Sequence, residues 1–330
     1  MTKVEVITGS RLHFGLICGT PQTGWVFGGI GVMLRRPAWR LSLQSVACGA
    51  DRVAAGDETT NRVIEFLGQI RTSLPLGAVD VEVTEEIPFH TGLGGGTQLA
   101  LALAAAAELL TGQKPSHDPY RLAHLAQRAE RSAVGTVGFR DGGFLIDHGV
   151  SDHPRSVRHV VRIPIPEDWR FILVRPTAVQ GLCGDREQLF FSRHVQMPDP
   201  LVKSLAEQIQ QTLEPAIQGR HFDAFAQALE NFGNTVGSFY AAEQGDVFAH
   251  PVIRRLVEKL RSEGIPGAAQ SSWGPGICIP ARSIAHARSI AQLIPETLEQ
   301  TSIAVTIAEP LNTGATVRSS GQDPGATRLA

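Results

Sequence analysis

Gly92, Gly94, Gly95 and Gly96 fall within five residues, and an unbroken alanine and leucine run follows in "IPFHTGLGGGTQLALALAAAAELL". Unpaired amide N–H groups at a helix start, the helix dipole and absent side chains make such a turn an anion site, and phosphate is its usual occupant. A merely tight turn is the plainer reading of the same residues. The stretch fits neither G-x-x-x-x-G-K-[ST] nor G-x-G-x-x-G, so neither a P-loop nor a dinucleotide fold is supported.

A strand must deliver these glycines and a helix must carry them away. "AVDVEVTEEIP" alternates Val79, Val81 and Val83 against Asp80, Glu82 and Thr84, as a half-buried strand should, and "VEVITGSRLHFGLI" and "WRLSLQSVA" also read as strands. Helices are predicted at about 97–111 and 119–132, the second with Asp118 as N-cap and Pro119 at its first position. "GGFLIDHG" gives a further strand. Prolines interrupt the pattern at "IPIPEDW", and "RFILVRP" opens a second half, so a boundary is placed near residue 160 with domains at 1–160 and 161–312. In that half, helices are expected at about 200–218, 221–243, 249–263 and 283–293, with strands at "GICIP" and "SIAVTIAE". The irregular stretch 184–199 is either a loop over a site or a plain connector. Residues 313–330 carry few apolar anchors and read as a disordered tail. The alternation is α+β rather than a Rossmann series.

The chain has 330 residues, 42% hydrophobic and 19% charged, which is ordinary composition for a folded protein. Its 30 Lys and Arg nearly balance 32 Asp and Glu, giving a formal charge of -2 and no electrostatic case for nucleic acid or a membrane surface as principal partner. With no leader-like or spanning segment visible, a cytoplasmic location is the default. Cys18, Cys48, Cys183 and Cys278 lie far apart without C-x-x-C spacing and read as packing residues, and the histidines show no metal-binding spacing.

The order Pro88-x-x-x-Gly92-Leu93-Gly94, then small residues opening an alanine-rich helix, resembles the GHMP kinase superfamily, whose phosphate motif has the form P-x-x-x-G-L-G-S-S-A. "QSSWGPGICI" at 270–279 lies where that superfamily carries its C-terminal motif. The resemblance covers nearly the whole chain. It implies an α+β, two-domain GHMP kinase-like fold, with a ribosomal protein S5 domain 2-like N-terminal domain and a ferredoxin-like C-terminal domain. Two departures stand out. Gly95-Gly96 replace the serine pair, and Ser132-Ala133-Val134-Gly135 puts a glycine where the kinases' S-G-x-D segment supplies an aspartate. With these departures, "SRLHFGLI", "FGGIGVML", "GLGGGTQLALA", "RSAVGTVGFRDGGFLID" and "QSSWGPG" together resemble the β-ribofuranosylaminobenzene 5'-phosphate synthase family. That family joins phosphoribosyl pyrophosphate to 4-aminobenzoate or 4-hydroxybenzoate with loss of CO2 and pyrophosphate, a step toward tetrahydromethanopterin.

What the resemblance implies for the site is a loop holding pyrophosphate on Gly92, Leu93, Gly94, Gly95 and Gly96, with Thr97 and Gln98 adding donors and Mg2+ arriving on the substrate. Arg11 and His13 alternate on one strand and face one side. The arginine fork suits phosphate or carboxylate, and the histidine is expected to titrate near neutrality; a surface arginine beside a part-buried histidine is the alternative. Arg131 and Ser132 would face the phosphate loop, although Arg131 reads equally as a solvated helix-end cation. Gly28, Gly29 and Gly31 would let backbone pass close to the ribose phosphate, or simply build a hairpin. His90 either donates to pyrophosphate or only packs. Ser271, Ser272, Trp273 and Gly274 would close the site from the second domain, with Trp273 either stacking on the aromatic acid or sitting in the core. Asp141 is assigned as a metal-proximal or basic carboxylate, with a solvated turn aspartate as the alternative. The family also implies a homodimer. An ATP-dependent small-molecule kinase and a non-catalytic ligand-binding regulator of the same fold are the rival readings.

Overall fold

A computed structural model describes residues 2–114, 118–128, 131–150, 158–177, 195–272, 274–320 and 327–328. Two long strands, β1 (Lys3–Cys18) and β2 (Val26–Ser45), pair antiparallel along most of their length. Their register shifts between Gly9 and Ser10, between His13 and Leu16, and between Ile17 and Cys18. Such irregularities bend a strand and re-aim its side chains. β4 (Val79–Glu85) runs antiparallel to the far part of β2, with Val79 and Val81 buried, and β3 (Arg52–Ala54) lies parallel on β4. β5 (Phe144–Asp147) pairs with β2 from Gly29 to Val32, and β6 (Val160–Ile163) pairs with β5.

Helices α1 (Asp57–Arg71) and α2 (Gly95–Leu110) accompany this sheet, and α2 packs on β1 and β2. Alanine and leucine are strong helix formers, and the short alanine side chains let α2 approach closely, so that Leu99 through Ala107 are all buried. Trp39, fully buried on β2, donates its indole N–H to the Gly95 carbonyl at 2.9 Å and pins the first turn of α2. Two short helices follow, α3 (Pro119–Leu125) and α4 (Val134–Asp141). Asp118 caps α3 as expected, accepting from the Tyr120 amide at 2.9 Å. The helix stops at Leu125 rather than continuing to 132, and Gln127 adopts a left-handed backbone two residues later.

The second half builds a sheet ordered β10-β11-β7-β9-β8, from β7 (Arg170–Pro176), β8 (Ala269–Gln270), β9 (Ile277–Ala281), β10 (Thr297–Leu298) and β11 (Thr301–Ala308). Its helices are α5 (Asp199–Gln208), which passes through a π-helical turn (Ile209–Leu213) into α6 (Glu214–Gln218), then α7 (Phe222–Gln244), α8 (Pro251–Ser262) and α9 (Ile284–Gln292). Val252, Ile253, Leu256, Val257 and Leu260 make the buried stripe of α8 at helical spacing. Cys18 and Cys278 are buried and Cys48 is exposed, while Cys183 and the loop positions 184–194 lie outside the described residues. No helix among the described residues is long and apolar enough to cross a membrane.

β6 belongs to the first sheet, which runs through Ile163, close to the boundary expected near residue 160. A further difference from the sequence expectation lies after residue 312. Residues 313–320 do not fray: β12 (Thr316–Ser319) pairs antiparallel with the Val4–Ile7 edge of β1, and β13 (Thr327–Arg328) pairs with β12. Ala315 and Val317, each 1% exposed, are sufficient anchors because the β1 edge offers a ready row of backbone partners. Val317→Asp is expected to lower unfolding free energy by about 3 kcal/mol, whereas Arg318→Ala, at an exposed position, should stay within about 0.5 kcal/mol; urea denaturation of the two variants measures both.

Candidate functional site

The glycine loop is built where two glycine segments cross. Gly92 has φ +80°, and a Cβ there would lie 2.5 Å from the Ser271 carbonyl oxygen, while a Cβ on Gly274 would lie 2.9 Å from Gly92 Cα. Only two bare backbones can pass so closely. Ser271 locks the crossing: its hydroxyl donates to the Gly92 carbonyl at 2.7 Å and accepts from the His13 amide at 3.0 Å. β1 is bound into the same junction, because the Arg11 amide donates to the Leu93 carbonyl at 2.9 Å and the Ser272 amide to the His13 carbonyl at 2.7 Å.

Gly94 then takes a left-handed backbone (φ +71°) as the N-cap of α2, which has no side-chain cap and no acidic residue in its first turn. Gly95 is buried, and Gly96 and Thr97 are half-buried. Arg11 lies directly on this turn. A Cβ on Gly94 would stand 2.6 Å from Arg11 Cγ, and Arg11 Nη1 donates to Ser272 Oγ at 3.2 Å. Helix dipole and guanidinium therefore reinforce each other at one spot. Gly96 has open space where a side chain would be, whereas Gly95 is crowded by Ile87.

His13 faces the same side as Arg11, as alternation requires, but its chemistry differs from expectation. The ring is buried, and its Nε2 lies 3.0 Å from Ser132 Oγ. Ser132 donates in turn to Asp147 Oδ2 at 3.1 Å, and Asp147, fully buried, also accepts from the Ala133 and Gly149 amides. Arg158 Nε pairs with Asp147 Oδ1 at 3.0 Å, with 8% and 0% of the two side chains exposed. Burial first, and then the charges of Arg11 and Arg158, push the His13 pKa down to about 3. His13 is thus a neutral ring throughout the physiological range, not the near-neutral titrating group read from the sequence. The Gly15 amide points at Nδ1 from 3.4 Å, which leaves the ring proton on Nε2, donating to Ser132.

Several predicted residues serve the scaffold instead of the cleft. Gln98 is fully buried, accepting from Thr8 at 2.8 Å and donating to the Gly135 carbonyl at 2.9 Å, so both ends of its amide are committed. Gly28 and Gly29 make room for protein: a Cβ on the first would meet the Asp147 carbonyl at 2.8 Å, and one on the second the Gly15 carbonyl at 2.3 Å and His13 Cε1 at 2.9 Å. His90 Nε2 turns to Glu58 Oε1, 3.5 Å away on α1. Arg131 lends its carbonyl to Arg158. Asp141 forms a two-pronged pair with neighbouring Arg140, at 2.7 and 2.6 Å, about 10 Å along α4 from the end that meets the loop. Trp273 lies outside the described residues. Asp147 and Arg158 escaped sequence reasoning because nothing local marks them; the one available signal was an aspartate ending the apolar run "GGFLID", where a buried charge demands a partner.

No cluster of three or more His, Cys, Asp or Glu suited to a metal is present among the described residues. Asp147 and Asp141 are each already held by an arginine. Among the described residues, then, the arrangement offers no carboxylate cage.

Residues 59–144 match the family model described as GHMP kinases N terminal domain. The chain is 29% identical to a β-ribofuranosylphenol 5'-phosphate synthase of Methanothermobacter thermautotrophicus, over 83% of this chain and 88% of that protein. It is 26% identical to the protein of the same name from Methanocaldococcus jannaschii, over 82% and 87% of the two chains. Among solved structures, mevalonate diphosphate decarboxylase of Enterococcus faecalis superposes with a TM-score of 0.67 at 15% identity, covering 97% of this chain and 100% of that one. The GHMP kinase fold expected from the two glycine motifs is thus shown, and the resemblance to the ribofuranosyl phosphate synthases is borne out.

The depressed His13 pKa has a definite consequence for stability. Between about 3 and 6.5 the unfolded chain binds a proton that the folded chain refuses, so stability is full above pH 6.5 and falls as the pH drops. From pH 7 to pH 5 the wild type is expected to lose about 2 kcal/mol more than His13→Gln; urea midpoints at the two pH values measure the difference.

Proposed function

We propose that this chain, which shares the GHMP kinase fold and most of its length with the ribofuranosylphenol phosphate synthases, condenses phosphoribosyl pyrophosphate with a 4-substituted benzoate. The ribofuranosylphenol in the relatives' names favours 4-hydroxybenzoate over 4-aminobenzoate as the acceptor. The observation that carries the reading is Arg11 set against the uncapped first turn of α2, beside a histidine held neutral.

The bond changes need what such a site offers. The C1–O bond of the ribose breaks, pyrophosphate leaves with the electron pair, and positive character grows at C1. The ring carbon bearing the carboxylate forms the new C–C bond to C1. Loss of CO2 then returns its bonding pair to the ring and restores aromaticity. The sum is one C-riboside, one pyrophosphate and one CO2, with no net proton taken up or released by the protein. No covalent nucleophile is called for, and neither is a base that titrates at pH 7. What the enzyme contributes is stabilisation of charge growing on the leaving phosphates, through fixed dipoles and a guanidinium that need not reorganise. Divalent metal carried by the pyrophosphate oxygens is part of the substrate in this reading. ATP-dependent phosphoryl transfer is the less favoured alternative, because Gly135 supplies no carboxylate at the Arg11 corner.

Purified protein with phosphoribosyl pyrophosphate, Mg2+ and carboxyl-labelled 4-hydroxybenzoate is expected to release labelled CO2 and pyrophosphate in equal amounts, with 4-aminobenzoate turned over more slowly. Absence of CO2 from either acid would sink the reading. Arg11→Ala should lower kcat/KM by about 100-fold with little change in melting temperature, and Arg11→Lys should recover only part of the loss because an ammonium lacks the fork.

A further inference from the structure

The chain spends two buried clamps on placing one residue that has no side chain. At one end of the segment 132–135, Asp147, itself held by Arg158, accepts from the Ser132 hydroxyl and the Ala133 amide. At the other end, the fully buried Gln98 donates to the Gly135 carbonyl, with its own oxygen held by Thr8. Between them Gly135 enters the first turn of α4 with ordinary helical backbone, so no left-handed conformation calls for glycine there. What a side chain would meet is the anion corner itself: a Cβ at 135 would lie 3.2 Å from Thr97 Cγ2, 3.6 Å from Arg11 Nε and 3.6 Å from Gln98 Nε2.

We infer that Gly135 is a specificity-determining residue, whose bare Cα leaves the Arg11 corner at the α2 N-terminus to a pyrophosphate group of the donor. Any longer side chain occupies that space, and an acidic one places its carboxylate on the Arg11 guanidinium and competes with the ligand's oxygens for it. The inference rests on the proposed donor chemistry for the identity of the ligand, but the corner is testable by itself. Aspartate suits the first turn of a helix, so Gly135→Asp should keep α4 intact, and melting temperatures check this.

The experiment is titration calorimetry of wild type, Gly135→Ala, Gly135→Asn and Gly135→Asp with inorganic pyrophosphate and, separately, with phosphoribosyl pyrophosphate, both with Mg2+. Gly135→Asp is expected to weaken both ligands by about 30-fold, with Gly135→Asn, of equal size but uncharged, weakened far less and Gly135→Ala least. Wild-type affinity in Gly135→Asp, or equal losses in the aspartate and asparagine variants, overturns the inference. If wild type binds pyrophosphate but not phosphoribosyl pyrophosphate, and the Gly135 series still follows the expected order, the corner stands and the proposed donor falls.

Discussion

Everything at the candidate site depends on one backbone crossing, Gly92 over Gly274. Closing it requires two residues without side chains, and Ser271 then ties Gly92 to His13 through a single hydroxyl. The crossing joins sequence positions far apart and brings the second half of the chain onto β1, so the position of Arg11 relative to the first turn of α2 is set by both halves at once. A methyl group at either glycine would push the two segments apart and move the guanidinium off the helix end.

A second constraint comes from electrostatics. Burying the Asp147–Arg158 pair is costly unless every remaining bonding site is filled, and here Ser132, the Ala133 amide and the Gly149 amide fill those of the carboxylate. The pair keeps the start of α4 in register with β5, and the positive charge of Arg158 helps to hold His13 neutral. The two arginines near His13 thus play different parts: one is buried and structural, the other reaches the first turn of α2.

The parts legible in the sequence were those governed by local rules. Val79 and Val81 betrayed a strand by alternation, Asp118 and Pro119 a helix start, and the glycines a tight approach. Arg11 and His13 could be put on one face because alternation is geometric. What stayed hidden depended on distant partners. Gln98 looked like a donor for phosphate because its place after Thr97 is visible, whereas its commitments to Thr8 and Gly135 are not. His13 was misread because a histidine pKa follows burial and neighbouring charge, and neither is written in "SRLHF". Ala315 and Val317 appeared too few to order a terminus until the β1 edge was seen to be waiting for them.

That last pairing bears on how the protein is made. The Lys3 amide donates to Ser320 Oγ across a separation of 317 residues, and the Val4–Ile7 edge of β1 has β12 as its partner. During synthesis β2 emerges early enough to cover the other side of β1, but this edge waits with bare N–H and C=O groups until β12 (Thr316–Ser319) has left the ribosome. A nascent chain in that state offers a template to any extended segment nearby, so crowded polysomes and slow translation of the stretch leading up to β12 are the conditions under which it would be caught by a neighbour or a chaperone.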